Sequence, residues 1–129
     1  MVTTAQPSNF PARKGNGKAI RIHSAGDFFN QEYFDMWVKL AKDNPEVEMW
    51  AYTKSIGYWV KRIFNIPNNL VLTASYGGRQ DDLIDEYHLK NVVVYNDINL
   101  VPKDRPIDTN DDWARKPFIN FALLDNLKY

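Results

Sequence analysis

The chain has 129 residues, enough for one domain with a moderate core, and its 44% hydrophobic and 14% aromatic content is that of a globular protein. Sixteen basic and sixteen acidic side chains cancel, so no strong non-specific nucleic-acid binding is expected. There is no cysteine, which excludes disulfides, thiolate nucleophiles and cysteine-held clusters, and no leader or apolar run of membrane-spanning length, which fits a cytoplasmic protein with no membrane partner.

Residues 1–18 carry two prolines, two glycines and no periodic apolar pattern. They read as a flexible arm, with Phe10 pinned to the body and Arg13, Lys14 and Lys18 solvated or within reach of phosphates. Residues 19–100 read as the folded core. AIRIH at 19–23 is a short strand. Asn30 or Asp27 then caps a helix through QEYFDMWVKLAKDN, whose Tyr33, Phe34, Trp37, Val38 and Leu40–Ala41 make one apolar stripe. Asn44-Pro45 stops it, because proline disfavours helical geometry in the residue before it. VEMWAYT at 47–53 is a second strand, buried on both faces. Ser55 opens a second helix, IGYWVKRIF, and 65–69 is a turn-rich break. LVLTAS at 70–75 is a third strand, Gly77-Gly78 turns the chain into DDLIDEYHL, and NVVVY at 91–95 is a fourth strand. The remainder, 101–129, is irregular and packs on the core, with FINFALLDNL expected as a terminal helix or an edge closure.

Apolar strands separated by amphipathic helices imply right-handed crossovers. The fold class is therefore α/β: a four-stranded, mostly parallel sheet covered on both faces, as a half-barrel or a small open sheet. A closed barrel needs roughly 200 residues or more.

Unusual polar residues gather where the strands end. Strand one ends in His23, Ser24, Gly26 and Asp27; strand two in Tyr52, Thr53, Lys54 and Ser55; strand three in Ser75, Tyr76, Gly77, Gly78 and Arg79; strand four in Tyr95, Asn96 and Asp97. In a parallel sheet these clusters share one rim, where ligands bind in such folds. The helix-to-strand turns carry only turn chemistry. His23 has the pKa range of a general base that Asp27 could orient, although both also suit structural roles. Lys54, just before a helix start, suits an anionic ligand, with backbone N–H groups of that start sharing the charge; it could equally reach solvent. Gly77-Gly78-Arg79 reads the same way but lacks P-loop or dinucleotide spacing. His23, Asp27 and Asp97 would be the only ligands for a metal, and no dense ligand set exists, so none is expected.

RIHSAGDF and EYFDMWVKLAKDNPEVEMWAYTKS, followed by IPNNLVLTASYGG, resemble the phage-encoded gene product 88 family over roughly the middle two-thirds of the chain. Members share an Arg-x-His-x-Ser-Gly-Asp-like strand end, a helix stopping near a proline, and Thr-Lys or Thr-Arg after the next strand. The matching positions here are Arg21, His23, Ser24, Gly26, Asp27, Thr53, Lys54 and Ser75, with Ala25 keeping the spacing. Longer relatives look like radical S-adenosylmethionine barrels with a cysteine motif for an iron–sulfur cluster. The resemblance thus implies half-barrel topology, while the lack of cysteine argues against cluster chemistry and leaves any cofactor unspecified. If phage-encoded, the protein would work in the host cytoplasm.

Three functions are open at this point. In the first, Lys54 with Arg21, Ser24, Gly26, Thr53, Ser55, Ser75, Tyr76 and Arg79 binds an anionic small molecule, a nucleotide or an S-adenosylmethionine-like ligand. In the second, a module derived from a barrel enzyme binds a host protein or its own copies. In the third, a small acid/base enzyme uses His23 and Asp27, with Lys54 as electrostatic stabiliser.

Overall fold

A computed structural model describes residues 18–23 and 26–125. The expected arm other than Lys18, and Ser24 and Ala25, lie outside the described residues, as do 126–129. The described chain builds five parallel strands in the order β1-β2-β3-β4-β5: β1 Lys18–Arg21, β2 Val47–Thr53, β3 Leu70–Ser75, β4 Asn91–Tyr95 and β5 Phe121–Leu124. Three helices cross between the first four: α1 Gln31–Asp43, α2 Ile56–Val60 and α3 Asp81–Glu86. The sheet curls into an open half-barrel.

Asn30, in extended backbone, caps α1 by accepting from the Tyr33 amide at 2.7 Å. Asp27, the other candidate cap, is used elsewhere. Tyr33, Phe34, Trp37, Val38 and Ala41 form the buried stripe, and burying Phe34 and Trp37 contributes about 1.5–3 kcal/mol each. Leu40, expected in that stripe, is turned outward to the partly exposed flank. At the other end the Asn69 amide donates to the carbonyls of Ala41, Asn44 and Val47, tying the end of α1 to the starts of β2 and β3.

α2 is shorter than the pattern suggests. After Val60 its bonds tighten to three-residue steps, Arg62 N to Trp59 O and Ile63 N to Val60 O, and a bidentate Arg62–Asp35 pair fixes this turn to α1. α3 likewise stops at Glu86. Leu89 N donates to Ile84 O and His88 N to Asp85 O, a Schellman closure in which His88 takes the left-handed position (φ 52°) that glycine usually fills.

Side chains alternate along β2 and β3, so each strand serves two cores. Met49, Ala51, Leu70, Leu72 and Ala74 pack with Ile20, Ile22 and all three helices on the convex side. Trp50, Val71, Val92 and Phe121 pack with Ala114 on the concave side. The sheet is therefore covered on both faces, but by helices on one and by irregular chain on the other.

That irregular chain carries the fifth strand, one more than the sequence pattern supplied. FALL pairs with β4 from Val92↔Phe121 to Tyr95↔Leu124, so the C-terminal segment closes an edge and does not form a helix there. Residues 106–108 run along its outer side, with Ala122 N donating to Pro106 O and Asp108 N to Ala122 O. Lys90 Nζ, on the near end of β4, donates to the carbonyls of Trp113 and Ile119. Burial pushes the pKa of this ammonium down to about 8, so these two carbonyls hold a group that is costly to keep charged there.

Candidate functional site

Because all five strands are parallel, their C-terminal ends share one rim. Its first cluster is organised by Asp27. One carboxylate oxygen accepts from the Phe28 amide (2.7 Å) and the Thr53 hydroxyl (2.7 Å), the other from the Lys54 amide (2.8 Å). Thr53 Oγ1 in turn accepts from the Ser55 amide, and Ser55 Oγ donates to the Phe28 carbonyl. Asp27 is thus a clamp between the loop after β1 and the end of β2. Gly26, in left-handed backbone (φ 86°), gives the turn that brings it there.

His23 turns away from this clamp. Its backbone is also left-handed (φ 65°), and its ring lies in the convex core, edge-on to Phe28, with Nε2 2.6 Å from the Tyr33 hydroxyl. Burial lowers its pKa, and the charge of Asp27 opposes that shift. Asp27 is hydrogen-bonded to three other donors, so the acid/base pair expected from the sequence has the two groups engaged separately.

The second and third clusters meet through Lys54. Its ammonium donates to Ser75 Oγ at 2.9 Å, and its stem lies against Gly78, where an added Cβ would come within 3.1 Å of the lysine Cβ. Lys54, Ser55, Gly57, Tyr58, Arg79 and Gln80 line an open cleft of about 500 Å³. Five of the backbone amides around this cleft are already engaged. Lys54 N goes to Asp27, Ser55 N to Thr53 and Gly57 N to Gln80 Oε1, while Gly77 N and Gly78 N both go to the Asp81 carboxylate. These five are therefore closed to an incoming anion, which meets the side chains of Lys54 and Arg79. Tyr76 does not face the cleft: its hydroxyl makes a short bond to Asp85, and burial with that carboxylate pushes its pKa up to about 12.

The fourth cluster stands apart. Asp97 caps the short 3₁₀ turn Ile98–Leu100 by accepting from the Asn99 amide. Among the described residues no three His, Asp or Glu side chains gather as metal ligands, so His23, Asp27 and Asp97 are not brought together.

Arg21 points into the concave face. Its Nη1 donates to Asp111 Oδ2 at 3.0 Å, and its guanidinium lies over the Tyr52 ring. Trp50 Nε1 and the Tyr52 hydroxyl donate to the same carboxylate. Nearby, Arg115 makes a forked contact with Glu48 Oε1 and stacks on Trp50. Of these residues Tyr52 falls in the cluster that ends strand two, whereas Glu48, Asp111 and Arg115 belong to no strand-end cluster. The alternation of β2 places Glu48, Trp50 and Tyr52 on one face, but Asp111 is 90 residues from Arg21 in irregular chain and carries no local signal.

The fold and rim define a cysteine-free parallel α/β half-barrel with a polar strand-end edge. More particularly, the chain belongs to the gene product 88 family, whose profile matches residues 5–125. It is similar to the Gene 88 protein of Mycobacterium phage L5 (45% identical over 42 residues) and to that of Mycobacterium phage D29 (40% over 42 residues). Each match covers 33% of this chain and only 18% of the relative's length. No solved structure matches the chain. Among the described residues no helix is long and apolar enough to cross a membrane.

Proposed function

We propose that this phage-family protein binds an anionic small molecule, of the nucleotide or S-adenosylmethionine-like class, at the rim between β2 and β3 in the host cytoplasm. The observation that carries this reading is the lining of the 500 Å³ cleft: two cations, Lys54 and Arg79, three neutral polar side chains and no carboxylate. Arg79 is exposed and makes no hydrogen bond or ion pair within the described residues, so its charge is available to a ligand. Lys54 is held by Ser75 at one geometry, which lowers the ordering cost of a contact.

The test is a thermal-shift series with pyrophosphate, ATP and S-adenosylmethionine. At saturating ligand the melting temperature rises by several degrees in the intact chain. The rise is lost in Lys54→Ala and reduced in Arg79→Ala, both exposed positions that leave the fold standing. No shift with any of the three probes, or an equal shift in Lys54→Ala, refutes the reading.

A second reading, self-association, has its own observation. Phe64 is 96% and Phe118 92% exposed, and Phe118 borders an apolar cleft formed with Trp59, Ile63, Ile66 and Leu89. Light scattering checks it: a concentration-dependent dimer that Phe118→Ser abolishes supports this reading, and a strict monomer removes it.

A further inference from the structure

We infer that Arg21, Trp50 and Tyr52 form a carboxylate-binding site on the concave face, which the chain fills with its own Asp111 and which a carboxylate on a small-molecule ligand takes over in its place. This position stands apart from the Lys54 cleft and shares none of its lining residues.

Three donors from two adjacent strands converge on one carboxylate. Arg21 Nη1 and Trp50 Nε1 reach Asp111 Oδ2 at 3.0 and 3.2 Å, and the Tyr52 hydroxyl reaches Oδ1 at 3.3 Å. Tyr52 is a lasting donor here, since burial and then the charge of Asp111 push its pKa far above its ordinary value. A guanidinium, an indole N–H and a phenol together make a set suited to a carboxylate.

The donor set also exceeds what Asp111 uses. Arg21 presents one nitrogen to it, while its buried Nε has no hydrogen-bond partner among the described residues. Thr73, paired with Tyr52 across the sheet and on the same face, is fully buried with its hydroxyl likewise unpartnered. Buried polar groups in folded proteins are nearly always bonded, so a spare guanidinium N–H at the filled anion position, with a second spare group one strand further along the same face, points to a larger occupant than one aspartate.

The resident carboxylate is mounted so that it can leave. Asp111 sits in left-handed backbone (φ 68°) between exposed Asn110 and Asp112. The chain on either side is anchored independently: Asp108 accepts from the amides of Asn110, Trp113 and Ala114, and Arg115 holds Glu48. Swinging Asp111 out therefore leaves this segment in place. A cleft of about 690 Å³ adjoins the position; Val94 and Leu123 line it together with the carboxylates of Asp108, Asp111 and Asp125, so the part of the ligand that enters it is neutral or cationic.

Asp111→Gly suits the left-handed backbone and vacates the carboxylate position while leaving its donors. With this variant, sodium acetate is expected to raise the melting temperature saturably, by roughly 5 °C, while sodium chloride of equal strength does not. Adding Arg21→Gln weakens the acetate response on the order of tenfold in concentration. In the unmodified chain, acetate moves the Trp50 indole N–H resonance, identified by its loss in Trp50→Phe, along a saturating curve. No acetate-specific response in either protein overturns the inference. A response confined to the variant also overturns it, by making Asp111 a permanent structural carboxylate. If Asp111→Gly does not fold, the titration of the unmodified chain decides alone.

Discussion

Asp27 gives the sharpest quantitative test, because its three bonds differ in what replaces them. Oδ1 takes both the Phe28 amide and the Thr53 hydroxyl, and Oδ2 takes the more exposed Lys54 amide. Hydrogen bonds to a charged acceptor contribute about 1.5–3 kcal/mol where burial prevents rehydration. Thr53 is only 2% exposed, so its hydroxyl finds no water when the carboxylate is removed. Asp27→Ala should therefore destabilise by about 3–6 kcal/mol, from the two sheltered bonds with a small addition from the wet one. Asp27→Asn keeps an oxygen for Phe28 and Thr53 but points an N–H at the Lys54 amide, and should cost about 1–2 kcal/mol. Urea unfolding with an unchanged slope measures both. If Asp27 were merely a helix cap, alanine would cost about 1 kcal/mol and asparagine almost nothing. That pattern would refute the clamp.

Asn30→Ala removes the actual cap of α1 and should cost about 1 kcal/mol, read in the same urea titration. His88→Gly relieves a left-handed, exposed residue at the end of α3 and should stabilise by about 0.5–1 kcal/mol, seen as a higher melting temperature. For His23, burial favours the neutral ring, so the folded pKa lies below the ordinary 6.5. The unfolded chain then binds more protons in the window just below 6.5. Stability should be complete above that pH and fall as acid is added, down to the folded pKa. In His23→Asn, which tolerates the left-handed backbone, that limb should flatten; a limb of unchanged slope would place the titration elsewhere.

The alternation of apolar strands and amphipathic helices up to Tyr95 was legible because each element buries a face large enough to impose its period on the sequence. Where the face is small, the pattern fails. FALL is four residues between Asn120 and Asp125, and four apolar residues fit a helix turn as well as a strand; only pairing with β4 decides. The rim was legible as a place, since parallel strands send their ends to one side, but the duties of its residues were not. Whether Asp27 orients an imidazole or ties two loops depends on which donors surround it, and those come from Phe28, Thr53 and Lys54 in three dimensions. The amides of Gly57, Gly77 and Gly78 are consumed by Gln80 and Asp81, and nothing in the spacing of those two side chains marks them as partners of these turns. Asp111 could not be found at all from spacing, because its partners lie in the first half of the chain.

The strand order carries a kinetic consequence. β2, β3 and β4 each pair with the strand made just before them, across a crossover organised by an α-helix whose local contacts form early. β5 joins across 96–120, a segment as long as the 22–46 crossover but with only the short 3₁₀ turn Ile98–Leu100 to organise it. Weakening β5 should therefore hasten unfolding while leaving the refolding rate nearly untouched, and the half-barrel should come apart, like a zip opened from its last tooth, at that end first.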